Sequence, residues 1–245
     1  MTKVFVFDVD GTLTPPRQLI DKEFAEVFLS FCKNNIVYLC SGSDWTKVKE
    51  QVTIEVINET SGVFTCSGNT FWTSKGEEVP SLRNDFDVPA ELIKDLEGLV
   101  KSSNFPIKTG KHIDLRMGMV NFSTVGRNCS KEERDKYSKW DEEVGERKSV
   151  VACLKSKYPD IDFNIGGEIS IDIHPIGSDK SRAIKVIREW HKEESPSICF
   201  FGDKIWPGGN DFLALKEIRE NDSYNKVFSY KDTMNLLLLI MNQSV

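Results

Sequence analysis

The sequence has no apolar run long enough to cross a bilayer. The longest run near the C-terminus, Leu236 to Met241, is far shorter than the roughly 20 residues that a membrane helix needs. At the N-terminus, M-T-K-V-F-V-F-D meets a charged residue before a signal-peptide apolar stretch is complete. These absences predict a protein without a membrane partner and with a cytoplasmic location.

The sequence also lacks C-x-x-C pairs and any excess of basic residues. With 245 residues the chain is too long to need disulfide staples, so its cysteines are predicted to be buried, reduced thiols. These cysteines are Cys32, Cys40, Cys66, Cys129, Cys153 and Cys199. A net charge of −6 provides no broad positive field, which predicts no nucleic-acid partner. The histidines at 112, 174 and 191 show no metal-ligand spacing and are predicted to be structural or exposed.

Short apolar runs alternate with amphipathic segments at both ends of the chain, and the hydrophobic fraction of 39% allows a packed core. Buried strands are predicted at Val4 to Phe7, Ile36 to Cys40 and Val63 to Cys66, and helices at Phe24 to Phe31 and Trp45 to Val56. Asp44 is suited to cap the second of these helices. The alternation predicts an α/β core with a parallel sheet.

The middle of the chain has a different pattern, with helices among locally paired strands. Helices are predicted at Ala90–Val100, Lys131–Asp141 and Glu146–Lys157, and strands at Ile113–Leu115, Met119–Phe122, Phe163–Ile165 and Ile169–His174. After Ser178 the core pattern resumes with a helix up to Trp190 and a strand at Ile198 to Phe201. We therefore predict a core formed by residues 1–79 and 178–245, with an inserted α+β cap at 80–177.

Four features follow predicted strands, and active sites of open parallel sheets lie at the carboxyl ends of their strands. They are Asp8-Val-Asp10, Ser41-Gly42-Ser43, Lys180 and Asp203. One aspartate of the first pair can act as a nucleophile and the other as an acid or base. Lys180 can neutralise a phosphoryl group, and Asp8, Asp10 and Asp203 suit Mg²⁺. Each feature alone is also compatible with an ordinary turn, a helix cap or a solvated side chain.

The order of these features resembles the haloacid dehalogenase superfamily. D-V-D-G-T-L-T matches its first motif, L-C-S-G-S-D stands for the second, Lys180 for the third and G-D-K-I-W-P-G-G-N-D for the fourth. The resemblance implies a Rossmann-like core, with Asp8 as the aspartyl-phosphate nucleophile and Asp10 as the general acid/base. An aspartate two residues after the nucleophile is typical of phosphatases and mutases rather than dehalogenases.

Longer strings resemble the eukaryotic-type α-phosphomannomutases over nearly the whole chain. These strings are Asp10–Gln18, Arg116–Arg134, Gly166–Lys180 and Phe200–Asp211. Three guanidinium groups, those of Arg116, Arg127 and Arg134, can surround one phosphate, although a salt-bridged surface is the alternative. By resemblance the further substrate-binding positions are Arg17, Ser43, Ser170 and Asp172.

The resemblance implies interconversion of mannose 6-phosphate and mannose 1-phosphate, in support of GDP-mannose synthesis. It further implies a Mg²⁺ cofactor, a hexose 1,6-bisphosphate activator and a homodimer formed through the cap. Met117 stands where the family usually has asparagine, and Cys66 to Trp72 also departs from its pattern. The alternatives are therefore a sugar-phosphate phosphatase, a phosphoglucomutase activity, or a non-catalytic phosphosugar-binding protein.

Overall fold

The computed structural model describes residues 2–73 and 79–243. The chain divides into two compact units, a core unit made of Met1–Arg83 and Asp179–Val245, and a cap unit made of Asn84–Ser178. Within the described ranges, no helix combines the length and apolarity that a membrane span requires.

The core unit is built on a seven-stranded sheet with the strand order β11-β10-β1-β2-β3-β4-β5. The strands are β1 (Lys3–Phe7), β2 (Ile36–Cys40), β3 (Gly62–Thr65), β4 (Thr70–Trp72), β5 (Leu82–Arg83), β10 (Ser197–Gly202) and β11 (Ser223–Lys226). Pairing is parallel from β11 to β3 and antiparallel from β3 to β5. The predicted α/β core with a parallel sheet is confirmed.

Helices cover both faces of this sheet because successive β1 side chains point to opposite sides. The core helices are α1 (Lys22–Cys32), α2 (Trp45–Gln51), α3 (Ile54–Glu59), α7 (Lys180–Trp190) and α8 (Tyr230–Gln243), with 3-10 helices at Cys66–Gly68 and Phe212–Glu217. Phe5 and Phe7 belong to the apolar cluster that contains α1, α3 and α8 residues. Val4 and Val6 belong to the cluster that contains the buried face of α7.

The helix predicted from Trp45 to Val56 is in fact two helices. Asp44 caps the first by accepting from Lys47 N at 2.9 Å, as predicted. Val52 then adopts an extended conformation (φ −111°, ψ 124°). Thr53 caps a second helix by accepting from Val56 N at 3.4 Å. The prediction was wrong here because a threonine inside an apolar periodic stretch starts a new helix instead of continuing the first.

Two further sequence predictions need correction. The third strand ends at Thr65, because Cys66 and Ser67 adopt positive φ values of 51° and 59° that an extended strand does not have. All six cysteines are free, but Cys153 is exposed and Cys129 is partly exposed. The burial predicted for those two was therefore wrong.

The cap unit contains a four-stranded antiparallel sheet with the order β6-β7-β9-β8. Its strands are β6 (Ile113–Arg116), β7 (Met119–Phe122), β8 (Ile161–Gly166) and β9 (Ser170–Pro175), and its helices are α4 (Ala90–Ser102), α5 (Lys131–Val144) and α6 (Glu146–Lys157). Alternate strand residues, such as Val120 and Ile171, pack with α4 and α6. The other face of the strands is polar and carries Asn121, Asp172 and His174.

We expect the aromatic packing between α1 and β1 to dominate the stability of the core unit. Phe28 is fully buried, and its ring centroid lies 5.2 Å from that of Phe7. Phe28→Ala should lower the free energy of unfolding by about 3–5 kcal/mol in urea denaturation, because it leaves a cavity. The control variant is Leu239→Ala, which changes an exposed side chain of α8. It should change the free energy of unfolding by about 0.5 kcal/mol or less. Similar losses in both variants would contradict this packing.

Candidate active site

Two neighbouring parallel strands place aspartates at the same edge of the core sheet. Asp8 directly follows β1, and its N–H donates to Phe201 O at 2.9 Å, which continues the β1–β10 pairing. Asp203 directly follows β10. The carboxyl ends of parallel strands form the usual site of chemistry in such sheets. The strand register therefore brings these two carboxylates together.

Lys180 is the first residue of α7, and it is 1% exposed. Its Nζ donates to Asp211 Oδ1 at 2.6 Å and also contacts Asp8 Oδ1. Burial works to lower the pKa of Lys180, but the carboxylates of Asp211 and Asp8 raise this pKa well above its usual range. The lysine is therefore an ammonium group that neutralises the nucleophile candidate and its neighbour.

Asp8, Asp203 and Asp211 form a three-carboxylate group in which each residue offers one oxygen, and these three oxygens lie within 4.8 Å of one another. Among the described residues, Asp203 Oδ1 is buried without a hydrogen-bond partner. Lys204 Nζ lies 3.5 Å from Asp203 Oδ2, so three carboxylates face two ammonium groups. This excess of negative charge and the unpartnered oxygen suit a hard divalent cation.

The pKa values of Asp8 and Asp203 reflect the burial of their carboxyl groups. Burial raises the pKa of Asp8 well above its usual range, Asp211 raises it further, and Lys180 opposes the shift. Burial also raises the pKa of Asp203 to about 6, against the effect of Lys204. Burial and the neighbouring carboxylates thus favour the protonated forms of Asp8 and Asp203, whereas a bound cation would favour their ionised forms.

Gly11 allows Asp203 to approach the acidic loop. A Cβ at this position would lie 2.5 Å from Asp203 Oδ2, and the residue has a φ of +84°. Both the space and the backbone conformation therefore require glycine. This is the physical reason for the glycine in D-V-D-G-T.

The carboxylate of Asp10 has a separate set of partners. Its Oδ1 accepts from Arg17 N and from Gln51 Nε2, both at 2.8 Å. Its Oδ2 lies 3.4 Å from the Ser43 hydroxyl. The structure thus brings together three predicted site residues, Asp10, Arg17 and Ser43. Asp10 is not in the three-carboxylate group among the described residues, and its role as a metal ligand stays a prediction.

In the cap unit, two of the predicted arginines approach the turn between β8 and β9. Arg127 Nη1 donates to Ser170 Oγ at 2.8 Å, and Arg134 Nε lies 3.7 Å from Glu168 Oε2. Arg116 instead pairs with Asp114 on its own strand, with 2.9 Å between Nε and Oδ2. The turn therefore gathers Arg127, Arg134 and Ser170, while Arg116 is held by another carboxylate.

Asp172 lies on the polar face of β9, as the strand alternation from Ser170 predicts. It faces Asn121 in the β7–β9 register, and Asn121 Nδ2 donates to Asp172 Oδ1 at 2.6 Å. Gly166 provides room on the other side, because a Cβ there would lie 2.4 Å from Asp172 Oδ2. The sheet register thus fixes the position of this carboxylate.

Comparison with known proteins identifies the family. The model of the eukaryotic phosphomannomutase family matches residues 24–243. The chain is 36% identical to a phosphomannomutase of Dendrobium officinale, an alignment that covers 88% of this chain and 86% of the relative. It is 34% identical to a phosphomannomutase of Drosophila melanogaster, over 97% and 95% of the two chains.

The chain belongs to the eukaryotic phosphomannomutase family.

Solved structures support the fold of this phosphomannomutase family member. A haloacid dehalogenase-like hydrolase from Bacteroides thetaiotaomicron superposes with a TM-score of 0.58 at 15% identity, covering 98% of this chain and all 100% of the other. A Plasmodium falciparum IMP-nucleotidase gives a TM-score of 0.65 at 14% identity, covering 98% and 70%. At these identities the likeness describes the fold alone.

Sequence reasoning missed several residues of the site in this family member. Asp211 ends the string G-D-K-I-W-P-G-G-N-D, which also carries Asp203, but the motif alone predicts no role for it. A Cβ at Gly202 would lie 2.8 Å from the Asp211 carboxyl carbon, so this glycine leaves the space that Asp211 occupies. Gln51 and Asn121 are uncharged, and their importance depends on contacts that the sequence does not show.

We expect Mg²⁺ to stabilise the protein through the three-carboxylate group. Asp203→Asn should weaken Mg²⁺ binding by roughly tenfold or more, because one ligand charge is lost, as measured by calorimetry and by the Mg²⁺-dependent rise in Tm. Since ligands must be deprotonated, wild-type affinity should fall as the pH drops through about 6, the pKa of Asp203.

The matched control is Asp21→Asn at the N-cap of α1, where asparagine caps as well as aspartate. It should leave both Mg²⁺ affinity and its pH dependence unchanged. Without Mg²⁺, stability should fall as the pH rises from 3.8, the usual pKa of an aspartate, to about 6, the raised pKa of Asp203 in the folded chain, because the unfolded chain releases this proton at lower pH. Equal Mg²⁺ affinity in the wild type and Asp203→Asn would remove Asp203 from the ligand set.

Proposed function

We propose that this chain interconverts mannose 6-phosphate and mannose 1-phosphate through a phosphorylated Asp8 and a hexose 1,6-bisphosphate. Membership of the phosphomannomutase family supports this substrate class. The observation that carries the chemistry is the buried contact of Asp8 with Lys180, beside Asp203 and Asp211. Such an aspartate is suited to accept a phosphoryl group, because neighbouring cations neutralise the charge that the transfer brings.

The contacts of Asp8 distinguish its two oxygens. Lys180 holds Oδ1, which leaves Oδ2 as the oxygen that attacks phosphorus. Asp10 is the general acid that protonates the departing sugar oxygen, and in the return step it removes the proton from the attacking hydroxyl. Lys180 also balances the charge of the transferred group. Asp8, Asp203 and Asp211, with Asp10 as predicted from the sequence, would hold Mg²⁺, which supplies electrostatic stabilisation of the phosphoryl oxygens.

A mutase differs from a phosphatase because it must also bind the phosphate that stays on the sugar. We assign this role to Arg127 and Arg134 in the cap unit, together with Arg116. Guanidinium groups provide planar, paired donors that match phosphate oxygens. The contacts of Arg127 and Arg134 with the β8–β9 turn support a common site for these two residues.

Ser170 and Asp172 would bind sugar hydroxyls, since both lie on the polar face of β9. Arg17 and Ser43, which contact the Asp10 carboxylate, would bind substrate from the core unit. The enzyme would act in the cytoplasm as a homodimer through the cap, and its mannose 1-phosphate would supply GDP-mannose synthesis. These assignments rest on the family resemblance.

The decisive test compares isomerisation with phosphate release. With Mg²⁺ and catalytic hexose 1,6-bisphosphate, we expect mannose 1-phosphate to be converted to mannose 6-phosphate faster than inorganic phosphate appears. A coupled assay with a parallel phosphate readout measures both rates, and glucose 1-phosphate is run alongside. Asp8→Asn should abolish both activities. Phosphate release without isomerisation would instead favour a sugar-phosphate phosphatase. The departures from the family pattern at Met117 and at Cys66 to Trp72 are the sequence observations that favour this alternative.

Arg127 provides a test of the second phosphate site. Loss of charge-assisted hydrogen bonds to a phosphate costs about 1.5–3 kcal/mol, so Arg127→Met should raise KM for mannose 1-phosphate roughly 10- to 100-fold. The control Lys136→Met removes an exposed cation that pairs with Glu132 at 2.7 Å and should change KM by less than about twofold. An unchanged KM in Arg127→Met would show that the sugar-bound phosphate is held elsewhere.

A further inference from the structure

Gln51 is a buried polar residue for which the family resemblance provides no role. It is the last residue of α2 and is 3% exposed. Its Nε2 donates to Asp10 Oδ1 at 2.8 Å and to Thr14 Oγ1 at 3.3 Å. Its main-chain carbonyl also accepts from Ile20 N at 2.8 Å. One side chain therefore links α2 to the loop that carries the candidate acid/base.

The chemistry of the contact fixes the orientation of the amide. Asp10 Oδ1 is an acceptor, since Arg17 N also donates to it, so the group of Gln51 that faces it must be the NH₂ and not the carbonyl oxygen. The two hydrogens of this NH₂ group have two acceptors, Asp10 and Thr14. Because both hydrogens are used, the amide cannot rotate without losing a buried hydrogen bond.

The partners of Asp10 are unevenly divided between its oxygens. Oδ1 accepts from Gln51 Nε2 and from Arg17 N, both at 2.8 Å. Oδ2 has the longer contact of 3.4 Å with the Ser43 hydroxyl. Two short hydrogen bonds hold Oδ1, whereas one longer contact holds Oδ2, so Oδ2 is the less restrained oxygen of this carboxyl group. We propose that Gln51 is a positioning residue that holds Asp10 with Oδ2 as the oxygen that exchanges the proton.

This inference rests on the proposed function, because it assumes that Asp10 is the general acid/base. In the forward step Asp8 Oδ2 forms a bond to phosphorus and the bond between phosphorus and the sugar oxygen breaks. The proton on Asp10 Oδ2 moves to the departing oxygen, and Asp10 is left as a carboxylate. The return step reverses these movements. Without Gln51 the carboxyl can rotate, so Oδ2 is less often aimed at the sugar oxygen.

A purely structural role would have a different consequence. The Gln51 side chain also contacts Thr14, and loss of this contact would disturb the loop from Asp10 to Thr14. Such a disturbance would slow every reaction of Asp8. A positioning role slows only reactions that need a proton from Asp10, and the leaving group of the phosphoryl donor separates these cases. A sugar alkoxide must be protonated as it departs, whereas p-nitrophenolate departs without an acid.

The experiment measures formation of phosphorylated Asp8 from two donors in Gln51→Met, which keeps the length of the side chain but has no donor. With hexose 1,6-bisphosphate, rapid quench should show a rate about 10- to 100-fold below wild type. With p-nitrophenyl phosphate, the nitrophenolate burst should fall by less than about threefold. Thermal melts check that the variant is folded.

Two reference variants make the result decisive. Asp10→Asn should show the same selectivity in stronger form, and Thr14→Val, which removes the other acceptor of Gln51, should change both rates by the same factor. Equal losses for both donors in Gln51→Met would overturn the positioning role while Asp10→Asn remains selective. If Asp10→Asn itself is not selective, the acid/base role within the proposed function fails instead.

Discussion

The buried ammonium group of Lys180, shared between Asp8 and Asp211, is the interaction on which the catalytic edge of the core depends. Its three participants come from the end of β1, the start of α7 and the loop after β10. Removing one member of such a buried set leaves an uncompensated charge, which costs several kcal/mol. The strand register that buries the core also brings these charges together. The reactive group therefore assembles when the parallel sheet folds.

The acidic loop separates two carboxylates that are close in sequence. Asp8 belongs to the lysine and cation group, whereas Asp10 is held by Gln51 and the Arg17 backbone. Gly11 turns the chain between these environments with a φ of +84° and leaves space for Asp203. Asp8 is paired with an ammonium group that can balance the charge of a transferred phosphoryl group, whereas Asp10 is held by neutral hydrogen-bond donors, so the two aspartates are suited to different roles. The loop conformation provides the two environments.

The sequence predicted the parts of the site that follow directly from strand ends. Asp8, Lys180 and Asp203 could be located because each follows a recognisable strand or starts a helix, and parallel strands share an edge. Partner choice was not predictable: Arg116 pairs with Asp114 on its own strand, whereas Arg134 approaches Glu168 from α5. The helix break at Val52 was also missed, although that break makes Gln51 the last residue of α2.

The core unit is interrupted in sequence by the cap, and this has a consequence for synthesis of the protein. β1 emerges from the ribosome early, but its neighbour β10 and the residues Lys180, Asp203 and Asp211 follow only after Asn84–Ser178 has been made. Until then Asp8 lacks the charged partners that the proposed function requires. Under that function, a nascent or prematurely terminated chain should not react with phosphosugars, because the order of translation delays assembly of the reactive group to the end.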